Sequence, residues 1–287
     1  MAAWGVFAFS KGIGMSESRS ALVIPCYNEE HRLPVGVLRE FATSHPVTDL
    51  LLVDDGSSDG TWPLLESLAA DAPAHVSALR LGVNGGKAQA VRRGMLALLE
   101  RRYDVIGFWD ADLATPLDAV SHFLEVLRRR PEVQWVFGAR VRLLGRSIER
   151  QRLRHYLGRC FATAVASVLG VPIYDTQCGA KLFRVTPTLA AVLARPFMSR
   201  WIFDVEMIAR FTQLTSRDVV ARAIYEVPLQ EWRDVQGSKV RPTDFAKALL
   251  ELAHLKVALM APRHFSEAGA VSGDDTPLLI PESHSRT

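Results

Sequence analysis

The 287-residue sequence predicts an α/β protein, a parallel-dominated sheet with helices on both faces. Three observations carry that expectation. Short apolar runs alternate with stretches of helical period from residue 21 to residue 140. The runs have the length and composition of buried strands. The acidic and basic residues capable of chemistry collect where those runs stop, and open α/β sheets bind ligands at the carboxyl ends of their strands.

Taken in order, "ALVIPCYNEE" reads as a strand stopped by Pro25, and "LPVGVLREFA" as a helix. "DLLLVDDGSSDGT" is a second strand ending in acids and a Gly/Ser turn. The next helix, "WPLLESLAADA", starts near Thr61, with Ser58 and Asp59 as its expected caps. The strand "HVSALRLG" leads to the basic amphipathic helix "GGKAQAVRRGMLALLERR", then to the strand "VIGFWDAD". Pro116 is placed in the first turn of the helix "PLDAVSHFLEVLRRRP". After the strand "VQWVFGAR" the style changes. "SIERQRLRHYLGRCFATAVASVLG" reads as one long helix and "DTQCGAKLFR" as loop plus strand. Then come "PTLAAVLARP", "IFDVEMIARFTQL", the strand "AIYEVPLQEW", the loop "RDVQGSKV" and a last helix, "DFAKALLELAHLKVALMA". One domain is expected over 20–262, with an N-terminal extension (1–19) and a disordered tail (263–287). The extension has an apolar patch with no basic region before it, unlike a signal peptide, and Met15 is an alternative start.

Lys plus Arg total 34 against 31 Asp plus Glu, so no global field draws nucleic acid. Locally the balance shifts: residues 140–159 carry arginines at 140, 142, 146, 150, 152, 154 and 159 against Glu149 alone. Three cysteines without a paired spacing read as reduced thiols. No apolar window reaches the roughly 18 residues of a membrane span. The expected setting is cytoplasmic, peripheral on the cytosolic face of a membrane.

Asp110 and Asp112 pose the main chemical question. Two carboxylates one residue apart at the end of an apolar strand need a cation or a shared proton. Mg²⁺ or Mn²⁺ answers that need, taking one or two carboxylates and completing its shell with substrate phosphate oxygens. The bland alternative is a loop with both acids in water. Asp54 and Asp55 repeat the pattern, and a carboxylate there could accept the imide N–H of a nucleobase. Glu29 is a third acid at the same edge. "GVNGGKAQA" fails the ATPase phosphate-loop pattern because Ala88 follows the lysine, yet Lys87 at a helix start could face an anionic substrate. The arginine run is either a solvated helix face or a surface for phosphate or anionic lipid. The last helix could pack in the core or lie in a membrane interface. The eight histidines show no metal-binding spacing.

"IPCYNEE", "VDDGSSDGT", "GKAQAVRRGM", "DADLATP", "GAR", "DTQCGAKLF", "WIFDVE" and "WRDVQGSK" occur in the order found in family-2 glycosyltransferases. Over residues 20 to 260 the chain most resembles the dolichyl-phosphate glucosyltransferase branch, with the mannosyltransferases as near relatives. The resemblance implies a GT-A type, Rossmann-like three-layer sandwich with a parallel-dominated mixed sheet. It implies inverting transfer of glucose from UDP-glucose to a polyprenyl phosphate. By position, Pro25, Tyr27, Glu29 and Asp55 would hold the nucleotide, and Asp110 and Asp112 the metal and diphosphate. Arg140, Arg152 or Arg154, and Lys239 would address the acceptor phosphate. Should the acceptor be a hydroxyl, Asp204 is the candidate base. A GDP-mannose donor, a soluble acceptor and an inactive nucleotide-sugar-binding scaffold are the competing expectations. Four positions depart from the branch: Ala114 replaces a metal-binding Gln of mannosyl relatives, Leu113 a frequent Gly, Ala88 a Gly and Ala180 a Phe.

Overall fold

The computed structural model describes residues 18–149, 152–233, 242–260 and 278–279. In chain order these form β1 (Ser20–Cys26), α1 (Val35–Ser44), β2 (Thr48–Asp54), α2 (Thr61–Asp71), β3 (Val76–Arg80), α3 (Lys87–Leu99) and β4 (Val105–Trp109). Next come α4 (Ala119–Arg129), β5 (Trp135–Ala139), β6 (Ser147–Glu149), α5 (Arg152–Leu169), β7 (Ala180–Arg184), α6 (Pro187–Leu193) and α7 (Phe203–Leu214). The chain continues through α8 (Arg217–Ala223), β8 (Ile224–Pro228), β9 (Glu231–Arg233), α9 (Pro242–Met260) and β10 (Leu278–Leu279).

The main sheet runs β10-β3-β2-β1-β4-β7-β5-β8. β3, β2, β1 and β4 are parallel neighbours, as are β5 and β8, while β7 lies antiparallel between β4 and β5. This is the three-layer, parallel-dominated mixed sheet that the resemblance implies. The period of two along each strand sorts side chains into two cores. Leu22, Ile24, Leu50 and Leu52 face α1, α2 and α4 through Leu38, Leu65 and Phe123. Ala21, Val23, Leu51 and Val53 face α3, α6 and α7 through Val91, Val192 and Ile208. The continuous apolar runs of β1 and β2 are thus explained: Ala21–Ile24 and Leu50–Val53 are buried on one side or the other.

Four local readings are corrected. Residues Ser147–Glu149, expected to open a long helix, form β6, which pairs in parallel with β9; the helix begins at Arg152. The pairing buries Ile148, a gain that a polar first helical turn would not provide. Pro116 lies before α4, its carbonyl accepting the Ala119 N–H (3.2 Å), so the helix starts three residues later than expected. α8, absent from the sequence reading, is capped by the Ser216 hydroxyl, which accepts the Val219 N–H. β10 pairs antiparallel with β3 inside the stretch expected to be disordered.

The Ser58 cap is also replaced. Ser58 bonds across to Asn28, and Asp59 accepts the Thr61 N–H (3.0 Å) beside an N-cap glycine. The Asn28–Ser57–Ser58 bonds staple the loop after β1 to the loop after β2.

Candidate active site

The carboxyl ends of β1, β2, β4 and β5 form one edge, and Tyr27, Asp55, Asp110, Asp112 and Arg140 follow those ends directly. Because β7 runs antiparallel, its amino end meets the same edge and delivers residues 175–179 there. The sequence could not say that this loop and the Asp110–Asp112 turn are adjacent. Gly179 shows how close they are: a Cβ on it would overlap the Asp110 carboxylate, while its carbonyl accepts the Asp110 N–H (3.0 Å).

The cation that makes the acidic pair tolerable is Lys87, the first residue of α3, whose ammonium pairs with Asp110. Partial loss of water opposes the charge of that ammonium, but Asp110, Asp204 and Asp112 together hold its pKa above the ordinary lysine value. The Asp112 carboxyl is pushed up, first by desolvation and then by the Asp110 charge, with Lys87 and Arg32 opposing. One Asp112 oxygen accepts the Ala114 N–H (3.0 Å), closing a turn in which Leu113 takes a left-handed conformation (φ 48°). A left-handed position favours glycine, which gives a physical reason for the glycine frequent there in the resembled branch. Leu113 offsets the strain by packing against the core.

Asp54 and Asp55 separate by strand alternation. Asp54 is fully buried, accepts the Ser57 N–H (3.0 Å) and lies 3.4 Å from Arg80, so it closes the turn. The oxygens of Asp55 accept the N–H groups of Gly85 (2.9 Å) and Gly86 (2.8 Å). Asp55 thereby fixes the backbone that presents Lys87, and its remaining lone pairs are what a nucleobase could use. Burial raises its pKa, the two glycine N–H groups oppose that rise, Asp54 adds to it and Arg200 lowers it. Pro25 is the half-buried penultimate residue of β1, and Tyr27 stands partly exposed one residue past its end. Glu29 is nearly buried and bonded by Arg32 (2.5 Å), so it is engaged inside the chain.

Two of the expected site charges are paired within the chain. Asp204, the candidate base, is buried and paired with Lys181 at 2.7 Å. Desolvation raises its pKa while Lys181 and Lys87 pull it back. Lys181 is 1 % exposed, bonds the Cys178 carbonyl and lies over the rings of Phe108 (5.2 Å) and Phe137 (5.1 Å). Arg140, expected to meet a phosphate, sends Nε (2.7 Å) and Nη2 (2.8 Å) to Asp175. Burial works against the Arg140 charge, but Asp175 outweighs it and holds the guanidinium above its ordinary value. Glu226 fixes this arrangement from β8 by accepting the N–H groups of Tyr174 and Asp175. Arg159 stacks on Tyr174 (3.9 Å), and Arg140, Arg159, Tyr174 and Asp175 line a small pocket. Arg152 and Arg154 fall in the first turn of α5, and Lys239 lies outside the described residues.

Sequence reasoning missed Lys181, Asp175, Glu226 and Arg200. Lys181 left a signal, a lone lysine in the otherwise apolar run "AKLF", where an inward-facing charge requires a partner. The others acquire meaning only through distant contacts. Among the described residues no group of three or more His, Cys, Asp or Glu gathers as a metal cage. What the site offers a cation is two carboxylates. Among the same residues no helix is long and apolar enough to cross a membrane.

Comparison with known proteins bears on the family and the fold. A curated dolichyl-phosphate beta-glucosyltransferase of Dictyostelium discoideum is 30 % identical over 241 residues, covering 77 % of this chain and 68 % of that protein. That of Mus musculus is 32 % identical over 238 residues, covering 77 % and 69 %. Among solved structures, Mycobacterium tuberculosis glucosyl-3-phosphoglycerate synthase with Mn²⁺, UDP-glucose and phosphoglyceric acid aligns with a TM-score of 0.58 at 17 % identity, over 85 % of this chain and 80 % of that one. Mannosyl-3-phosphoglycerate synthase of Rubrobacter xylanophilus aligns at 0.57 and 16 %, over 92 % and 87 %. These two show the shared GT-A fold. Residues 21–189, which run from β1 into α6 and carry the acidic edge, match the family model "Glycosyl transferase family 2". With its sheet, its acidic edge and its curated relatives in agreement, the chain belongs to glycosyl transferase family 2 and is a glycosyltransferase.

Proposed function

We propose that the chain transfers glucose from UDP-glucose, with inversion, to the phosphate of a dolichyl-type polyprenyl carrier. The carrying observation is the Asp110–Asp112 pair at the end of β4, with the Lys87 ammonium drawn onto it. The glucosyl group and the lipid phosphate are supported by the names of the curated relatives. The UDP moiety is what the motif resemblance implies.

The two carboxylates fit Mg²⁺ or Mn²⁺. They are hard oxygen donors, two in number, at an edge where substrate phosphates and water can complete the shell. When bound, the ion would stabilise the negative charge that develops on the departing nucleoside diphosphate. Lys87 adds a cation of the chain's own at that place. Asp55 holds the glycine backbone beside it, and Tyr27 and Pro25 line the nucleotide end of the edge.

A phosphate monoester has a second pKa of about 6, so near neutral pH it is largely dianionic and needs no proton removed before it attacks. The burial of Asp204 against Lys181 supports such an acceptor, because a carboxylate enclosed in the chain and held by a lysine is not presented to a substrate hydroxyl. The pocket of Arg140, Arg159 and Tyr174 is the proposed seat of the acceptor phosphate, with Arg152, Arg154 and Lys239 as further partners. A phosphate entering there competes with Asp175 for the Arg140 fork.

The test is a panel of UDP-glucose and GDP-mannose, each with Mn²⁺ or Mg²⁺, against a short polyprenyl phosphate and against phosphoglyceric acid. Glucosyl-phosphoryl lipid is the expected product. Asp112→Asn should lower metal-dependent turnover by about 100-fold or more. Unchanged turnover in that variant removes the metal site, and product from phosphoglyceric acid alone removes the lipid acceptor.

A further inference from the structure

Arg200 sits on the segment between α6 and α7, which the fold ties down from several directions. The buried Glu206 carboxylate accepts the N–H groups of Met198 (3.1 Å) and Ser199 (2.9 Å). Arg210 donates to the carbonyls of Arg195 (2.7 Å) and Pro196 (2.6 Å). The Ser199 hydroxyl bonds Glu251 of α9 and accepts the Ile202 N–H (2.7 Å) at the start of α7. A loop held in this way presents its exposed side chain from a fixed base.

That side chain points at the donor end of the edge. A Cβ on Gly86 would lie 3.4 Å from Nε and 3.5 Å from Nη2 of Arg200, so the guanidinium rests against bare backbone immediately before Lys87. Gly86 has φ +85°, a conformation that side chains rarely adopt, and the bare surface is therefore built into the turn. The Arg200 charge reaches Asp55, lowering a carboxyl that burial raises. Among the described residues no hydrogen bond or ion pair occupies its fork. Two cations, Lys87 and Arg200, thus flank one glycine in front of Asp55, Asp110 and Asp112.

We propose that Arg200 is a binding residue for the diphosphate of the nucleotide donor, holding it from the helical layer opposite the acidic sheet edge. This rests on the donor reading above. A guanidinium fork matches phosphate oxygens bidentately, whereas an uncharged sugar makes no comparable demand for its charge. A lipid phosphate carries the same chemistry, but position separates the two. Arg200 stands by Asp55 at the end of β2, while the Arg140–Arg159 pocket stands at β5. In the order β2-β1-β4-β7-β5 that is four strand spacings, about 19 Å.

Calorimetric titration of wild type, Arg200→Gln and Arg200→Lys with UDP and with uridine, in the presence of Mn²⁺, tests the assignment. Arg200→Gln should weaken UDP about tenfold or more and leave uridine unchanged, with Arg200→Lys recovering part of the loss. The KM for a short polyprenyl phosphate should stay constant, and thermal melts confirm that each variant is folded. Equal losses for UDP and uridine, or an unchanged UDP affinity, overturn the assignment while leaving the donor reading intact. A raised lipid-phosphate KM with unchanged UDP affinity reassigns Arg200 to the acceptor and overturns it too. Wild-type protein that binds no UDP removes the donor reading and the assignment together.

Discussion

Gly179 is the residue on which the position of the acidic pair depends most directly. Its missing side chain is the space that the Asp110 carboxylate occupies, and its carbonyl anchors the Asp110 backbone. Gly179→Ala must push that carboxylate aside, and a displacement of about 1 Å at a reacting centre costs on the order of 100-fold in rate. The expected outcome is a drop in kcat/KM of about that size with the fold intact, read from steady-state kinetics beside a thermal melt. Full activity in this variant would mean that Asp110 tolerates another position. Cys26 illustrates the reverse case. Burial, then Glu29 and Asp54, push its thiol far up, which makes it a packing residue and no nucleophile.

At the scale of elements, β7 is decisive. Inserted antiparallel, it brings its leading loop to the edge where the parallel strands end, and it carries Lys181 into the core beneath that edge. A buried cation against a buried anion contributes less than its short contact implies, because both have lost water; removing one partner leaves the other uncompensated. Lys181→Met should therefore destabilise the protein by about 3–5 kcal/mol. Adding Asp204→Leu to it should restore most of that loss, as read by denaturant unfolding of both single variants and the double. Costs that simply add in the double variant would show that the pair does not act as a unit.

For the whole molecule, the proposed lipid acceptor requires work at a membrane surface. Leu144 is fully exposed and Leu143 half exposed on the loop after Arg140, with Arg142 and Arg146 on either side. Apolar tips between cations suit the interface of an anionic bilayer. The protein should co-float with vesicles containing phosphatidylserine at low salt, less so at high salt, where the charges are screened. Leu143→Ser with Leu144→Ser should reduce the bound fraction. No co-flotation of the wild type at low salt would favour a soluble acceptor.

The sequence alone determined the fold class, the strand order in time and the edge where chemistry collects. Each of these follows from local patterns: apolar run length, helical period, and acids placed where a run stops. It singled out Asp55, Lys87, Asp110 and Asp112 for the same reason. It misread Ser147–Glu149 because three residues hold too little periodicity to separate a short strand from a helix start. Only the tertiary structure decided the pairing of charges. No local pattern places Lys181 beside Asp204 or Asp175 beside Arg140, partners 23 and 35 positions away in the chain. Whether a charge is available to a substrate or spent on a neighbour depends on contacts within a few ångströms, and those contacts are fixed by how distant segments pack.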